Sequence, residues 1–373
     1  MYLDHAATTP VRKEILDSYH ELLMDQFANP SSLHRLGQET SRLLSKARAQ
    51  IASYFHRVEE EVIFTSGATE ANNLAIKGYC LRYQNRGKHC ITTKIEHPSV
   101  LRAFEQLEEQ FGFQVTYLGV DENGKVRLED LRKAMQNDTI LVSIMAVNNE
   151  VGAINDIKGI AQIVHAYPKA AFHSDTTQAI GKIDLDYDAM DMFVLSAHKL
   201  YGLKGSGALI KRKNIEFLPL NSGGGQEFGY RSGTNDFPKE VMLAKTLRLL
   251  FQDEKRNRMH VKELFLHLYD RLKEMKDVRI NSTLDGSYYI LNFSLLEKRA
   301  SVVVEALSKD NIMVSTISAC SSKKTAHSVV LEAMGRTKQE YQNSIRVSFG
   351  HENTIEEIDS FVEKLQQILK TIR

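Results

Sequence analysis

At 373 residues, with 42% hydrophobic and 25% charged side chains and six prolines, the chain has a globular composition and is too long for one ordinary core, so two domains are expected. Basic and acidic residues balance (48 against 47, net +1), which excludes recruitment of nucleic acid or an anionic membrane by a bulk field. No apolar run approaches a membrane span, Met1-Tyr2-Leu3-Asp4 does not read as a signal peptide, and Cys80, Cys90 and Cys320 stand in no metal-ligand or redox spacing, so a reducing cytoplasm is the expected compartment.

From Glu61 to Gly207 β-like runs alternate with helical stretches, and each run ends in a polar cluster. Val62-Ile63-Phe64 leads to Ser66-Gly67-Ala68-Thr69 and a helix over Glu70–Tyr83. His89–Thr93 leads to Glu96-His97-Pro98-Ser99 and an amphipathic Val100–Phe111. Thr139–Val147 ends at Asn148-Asn149-Glu150, Ala170–His173 at Asp175-Thr176-Thr177-Gln178, and Met192–Leu195 at Ser196-Ala197-His198-Lys199. This rhythm predicts an α/β domain with a mostly parallel sheet covered by helices on both faces. Glycine-rich punctuation follows at Ser222–Gly225 and Arg231–Thr234. Asp236 and Pro238 then open a helix reaching about Met275, long enough to bridge two bodies. We place the large domain at residues 13–251 and a smaller α+β domain at 1–12 and 252–373. The smaller domain holds strands at Tyr288–Phe293 and Ser344–Phe349 and a last helix opened by a Thr354/Glu357 capping box.

Open α/β sheets bind ligands at the carboxyl ends of their strands, where Asp175 and Lys199 both fall. Pyridoxal phosphate needs such a pair: its aldehyde takes a lysine and its pyridinium nitrogen a carboxylate. A surface lysine and a capping aspartate are the plain alternative for the pair alone. Ser66–Thr69, between a strand and a helix, offers amides and a hydroxyl to a phosphate, with Ser196 and His198 as further donors beside Lys199. An ordinary helix cap would look the same. His97 reads either as a structural histidine or as a ring stacked on an aromatic cofactor and exchanging protons with it. Gln178, three residues past Asp175, suits a hydrogen bond to the cofactor's phenolic oxygen. Strand alternation sets Arg346 on the face opposite Ile345 and Val347, either solvated or forking a substrate carboxylate. Cys320 stands among small polar residues, as an accessible thiol whose thiolate Lys323, Lys324 and His327 could favour, or as a tolerated surface cysteine.

Taken in order, Tyr2–Pro10, Asn29–His34, Thr65–Glu70, Glu96-His97, Val147–Gly152, Asp175–Gln178, Ser196–Gly202, Gly223–Thr234 and Ser318-Ala319-Cys320 resemble the cysteine desulfurases of the NifS/IscS type, within the class V aminotransferases. The resemblance implies the type I fold of pyridoxal-phosphate enzymes and carries roles with it. Lys199 would hold the cofactor covalently, with Asp175 on its ring nitrogen, Gln178 on its ring oxygen and His97 stacked on the ring. Ala68, Thr69, Ser196 and His198 would hold the phosphate, with Thr234 reaching across from a second subunit of a homodimer. Asn148, also counted among the cofactor's contacts, and Arg346 would bind the substrate, L-cysteine, and Cys320 would take its sulfur as a persulfide. An acceptor protein would follow, either an iron–sulfur scaffold or a tRNA-thiolation enzyme. A selenocysteine lyase or other class V enzyme, and a non-catalytic sulfur-relay scaffold, are the alternatives. Three departures stand out: Ile317 and Ala28 where the family commonly has glycine, and Ala326-His327 where it has Glu-Pro.

Overall fold

The computed structural model describes residues 1–316 and 327–372. Among them, seven strands form the larger sheet: β1 (Val62–Thr65), β2 (His89–Thr93), β3 (Gln114–Leu118), β4 (Thr139–Ser143), β5 (Ala171–Asp175), β6 (Met192–Ser196) and β7 (Gly207–Lys211). Their spatial order is β1-β7-β6-β5-β4-β2-β3. The pairs from β6 to β3 are parallel, as expected, and β7 alone runs antiparallel to β6 and β1. Alternation distributes each strand between two cores. Phe64, Ile91, Val142, Phe172, Phe193 and Ile210 face one core, and Ile63, Cys90, Leu141, Ala171, Val194 and Leu209 the other. Burial on both faces explains why these strands read as unbroken apolar runs.

The run expected over Thr139–Val147 leaves the ladder at Ser143. The Ile144 and Ala146 amides still bond the His173 and Asp175 carbonyls, but Val147 then bridges to Ile154 and the chain turns back. That turn sets Asn148–Glu150 beside the end of β5. Gly207 permits β7 to lie close to the loop after β1: a Cβ there would sit 2.7 Å from the Gly67 Cα. Gly67 itself has φ +144°, which a side chain would strain. Cys80 and Cys90, far apart in secondary structure, meet in the core with their sulfurs 3.5 Å apart.

The smaller sheet is antiparallel, ordered β10-β11-β9-β8 from β8 (Val278–Ile280), β9 (Ile290–Leu295), β10 (Ser315–Thr316) and β11 (Ser344–Ser348). The first residues join it, through parallel bridges of Tyr2 to Met313 and Asp4 to Ser348. One helix, Phe237–Lys273, serves both cores: Leu243, Leu247 and Leu250 pack against the larger sheet, and Val261, Leu264, Phe265 and Leu268 against the smaller. The final helix, Ile355–Thr371, begins at the Thr354/Glu357 capping box and buries Ile358, Phe361, Val362 and Leu365.

Candidate active site

A cavity of about 620 Å³ opens at the carboxyl ends of the parallel strands. Of the residues singled out in the sequence, Ala68, Thr69, His97, Asp175, Gln178, Ser196, His198, Lys199 and Arg346 line it. Asn148 does not. It is buried behind the lining, where its Oδ1 accepts the Glu150 and Val151 amides and holds the turn, and Asn149 takes its place on the wall. Thr234 is exposed and lies off this cavity. Cys320, with Ile317 and Ala326, lies outside the described residues. Ala28 is buried without a positive φ, so alanine carries no backbone strain there.

The end of β5 sets Asp175 on the cavity floor. Its Oδ1 accepts the Thr177 amide at 3.0 Å and its Oδ2 the Asn72 side-chain amide at 2.8 Å. Asn72 also donates to the Ser99 hydroxyl at 2.9 Å, which lies 2.8 Å from Nδ1 of His97. A hydrogen-bonded chain thus runs from the carboxylate to the imidazole. The His97 ring is open to the cavity on one side and crowded by protein on the other. That crowding lowers its proton affinity, against the pull of Asp175 and with the push of Lys199.

Lys199, just past β6, donates from Nζ to the carbonyls of Ala6 (2.5 Å) and Ala7 (2.7 Å). Gln178 Nε2 shares the Ala6 carbonyl at 2.9 Å, and its Oε1 accepts from Lys182 Nζ at 2.8 Å. Burial, followed by the charges of Lys199 and Arg346, brings Lys182 down to about 7. His198 is held near 4 by burial and by Lys199, Lys204 and Lys182, so it faces the cavity as a neutral ring. Glu70, on the same rim, accepts from the Ser66 amide at 2.6 Å and from Arg231 Nε at 2.8 Å. Burial raises its carboxyl, but these two partners outweigh it and leave it below the ordinary value.

Arg346 enters from the smaller sheet, buried to 4% exposure, which rules out the solvated-strand alternative. Its Nη1 donates to the Asn149 carbonyl at 2.9 Å and its Nη2 to Asp4 Oδ1 at 2.8 Å, and its Nε has no partner among the described residues. His327 pairs with Glu332 at 3.0 Å, which ties its ring to the helix that follows it.

Sequence reasoning passed over Asn72, Ser99, Lys182 and Asp4. Asn72 could have been flagged as the amide on a helical face otherwise made of Ala71, Leu74 and Ala75. Ser99 and Lys182 bond residues two and four positions away, at His97 and Gln178, and read as an ordinary capping serine and loop lysine. Asp4 acts through Arg346, 342 positions distant. The residues present suit pyridoxal phosphate. A buried carboxylate on the floor, a lysine above it and hydroxyls at Thr69 and Ser196 surround a cavity with the Thr177 hydroxyl still unpartnered.

The family model for class-V aminotransferases matches residues 1–361. A NifS/IcsS protein homolog of Lactobacillus delbrueckii subsp. bulgaricus is 40% identical over 99% of this chain and 97% of its own length. The cysteine desulfurase IscS of Colwellia psychrerythraea is 41% identical over 100% of this chain and 93% of its own. Among solved structures, a NifS-like protein superposes with a TM-score of 0.93 at 35% identity, over 100% of both chains. The chain belongs to the class-V aminotransferase family, whose cofactor is pyridoxal phosphate.

Proposed function

We propose that the chain is a cysteine desulfurase that takes sulfur from L-cysteine onto Cys320 and releases alanine. The observation that carries this reading is the meeting of Lys199, Asp175, His97 and Arg346 on one cavity, drawn from both sheets. Lys199 would hold the cofactor through Nζ, Asp175 would pair with its ring nitrogen, and Ser196, His198, Thr69 and the amides around Ala68 would hold its phosphate. When bound, pyridoxal phosphate supplies an electron sink for the substrate's Cα. Arg346 grips the substrate carboxylate by exchanging Asp4 and the Asn149 carbonyl for it, and Lys199 Nζ, freed when the substrate's amine takes its place, removes the α-proton. Asn148 acts indirectly, by shaping the turn that presents Asn149.

The Cys320 thiolate attacks the substrate sulfur. Its S–S bond forms as the substrate's C–S bond breaks, and the bonding pair stays with the carbon that becomes alanine's methyl. The described ends of the cysteine-bearing segment support this role. Ser315 lies opposite Arg346 in the smaller sheet, and Ser328 Oγ donates to Glu150 at 2.5 Å, one residue from the cavity wall. Exposed Leu218 and Leu220 beside the Gly223–Thr234 loop, with exposed Phe228 within it, favour cover by a second copy, whose Thr234 would complete the phosphate site of a homodimer. No described helix is long and apolar enough to cross a membrane, which fits a cytoplasmic enzyme handing sulfur to an iron–sulfur scaffold or a tRNA-thiolation enzyme.

Cys320→Ala tests the reading. The variant should keep the yellow, borohydride-reducible cofactor linkage that Lys199→Ala loses, yet yield no sulfide from cysteine under reductant. Undiminished sulfide release from Cys320→Ala would sink the persulfide route and favour another class V activity.

A further inference from the structure

His97 is the N-cap of the helix Pro98–Phe111, and its imidazole is the capping group: Nδ1 accepts the Ser99 amide at 3.1 Å. A backbone N–H can only donate, so this contact requires a lone pair on Nδ1. The Ser99 hydroxyl lies 2.8 Å from the same nitrogen, and its oxygen accepts one N–H of Asn72 at 2.9 Å. The Asn72 nitrogen also donates to Asp175 Oδ2 at 2.8 Å. A carboxylate only accepts, so Asp175 fixes which end of the Asn72 amide faces it. Both amide protons are then committed, and the serine proton is left to point at Nδ1. The cost of this orientation is visible: Asn72 Oδ1 is buried without a partner.

We infer that Asn72 and Ser99 are positioning residues that transmit the polarity of Asp175 to His97 and hold it as the neutral tautomer protonated on Nε2 alone. This deepens the reading above, on which it rests for what His97 touches. With Nδ1 closed by two donors, the ring offers the cavity a fixed Nε2–H donor. It orients what lies against it, and any proton it gives leaves from Nε2. The charges bearing on the ring are Asp175 and Lys199, of opposite effect, and burial outweighs both.

Histidine-selective ¹⁵N labelling of the holoenzyme, with long-range ¹H–¹⁵N correlation, reads the tautomer directly; the His97 signals are those missing from His97→Gln. Nδ1 should be bare and Nε2 protonated from about pH 7 upward. An Nδ1–H tautomer or an imidazolium in that range overturns the inference. Ser99→Ala keeps the backbone donor but loses the hydroxyl. It should retain the tautomer while its protonation midpoint rises by roughly half to one pH unit, since one hydrogen bond to the neutral ring is gone. A fall would mean that Ser99 accepts from the ring, and overturns the relay. Asn72→Ala should move the midpoint the same way and add little in the Ser99→Ala background, whereas fully additive shifts would break the chain of transmission. A wrong tautomer in an enzyme that still desulfurates cysteine defeats this inference alone. The expected tautomer in an enzyme without that activity defeats only the functional reading.

Discussion

The two walls of the cavity are held in different ways. On the wall made by the ends of β2, β5 and β6, polar side chains answer one another in a closed set: Asp175 with Thr177 and Asn72, Asn72 with Ser99, Ser99 with His97. None of these bonds must break before a planar ring can be received, although Lys199 must leave the Ala6 and Ala7 carbonyls. On the wall from the smaller sheet, Arg346 is occupied by Asp4 and a backbone carbonyl, both of which a substrate carboxylate would replace. A group that stays bound calls for a fixed frame, and one that comes and goes for partners that can be exchanged.

If that division holds, disturbing one wall leaves the other intact. The largest effect is expected from Arg346→Lys, which keeps the charge and loses the fork. The KM for cysteine should rise about 10- to 100-fold, the loss of one charged hydrogen bond, while the absorbance of the bound cofactor stays the same. Equal loss of cofactor would show that the walls are one unit.

A smaller effect is expected from Glu96, under the cofactor wall. Its Oε1 accepts from the Thr93 hydroxyl and the Met145 amide, its Oε2 has no partner, and burial pushes it up to about 8. The folded state therefore binds a proton that the unfolded chain releases above the ordinary carboxyl range. The stabilisation is fully present below that range and is lost as pH rises through about 8. Glu96→Gln removes this loss, so its Tm should exceed the wild type's by roughly 2–4 °C at about pH 9, with the gap closing near pH 5. A gap that does not change with pH would mean that Glu96 does not titrate in this window.

The smallest effect belongs to Ser328→Ala on the substrate wall. It deletes both the helix cap to the Leu331 amide and the bond to Glu150, and should cost about 1–2 kcal/mol in denaturant unfolding. Cofactor affinity should not change.

The fold was legible because burial on both sheet faces leaves a sequence mark, apolar runs closed by polar clusters, and those clusters sit where the strands end. Asp175, Lys199 and His97 were legible for the same reason, and Arg346 from the alternation of its strand. β7 was missed because no helix separates it from β6, so its reversal rests on a glycine contact with Gly67 that only the assembled sheet reveals. Asn72, Ser99 and Lys182 were missed because their meaning lies in what they bond. Each has an ordinary local reading, as helix amide, capping serine or loop lysine. Asn148 shows the converse: a residue in a telling motif can serve the turn and leave the wall to its neighbour.

The first residues of the chain fasten the site's last parts together. Leu3 exchanges backbone bonds with Met313 and Ser348, Thr9 bonds the His198 carbonyl, and Ala6 and Ala7 receive Lys199. Asp4 and Arg346 are 342 positions apart. At about 5–20 residues per second of synthesis, the opening segment waits roughly 20–70 s for its partner strand to be made. The large parallel sheet can assemble in that interval, but the pairing of Asp4 with Arg346 cannot. On the ribosome, the substrate side of the cavity is therefore the last part to close, when the end of the chain folds back onto its beginning.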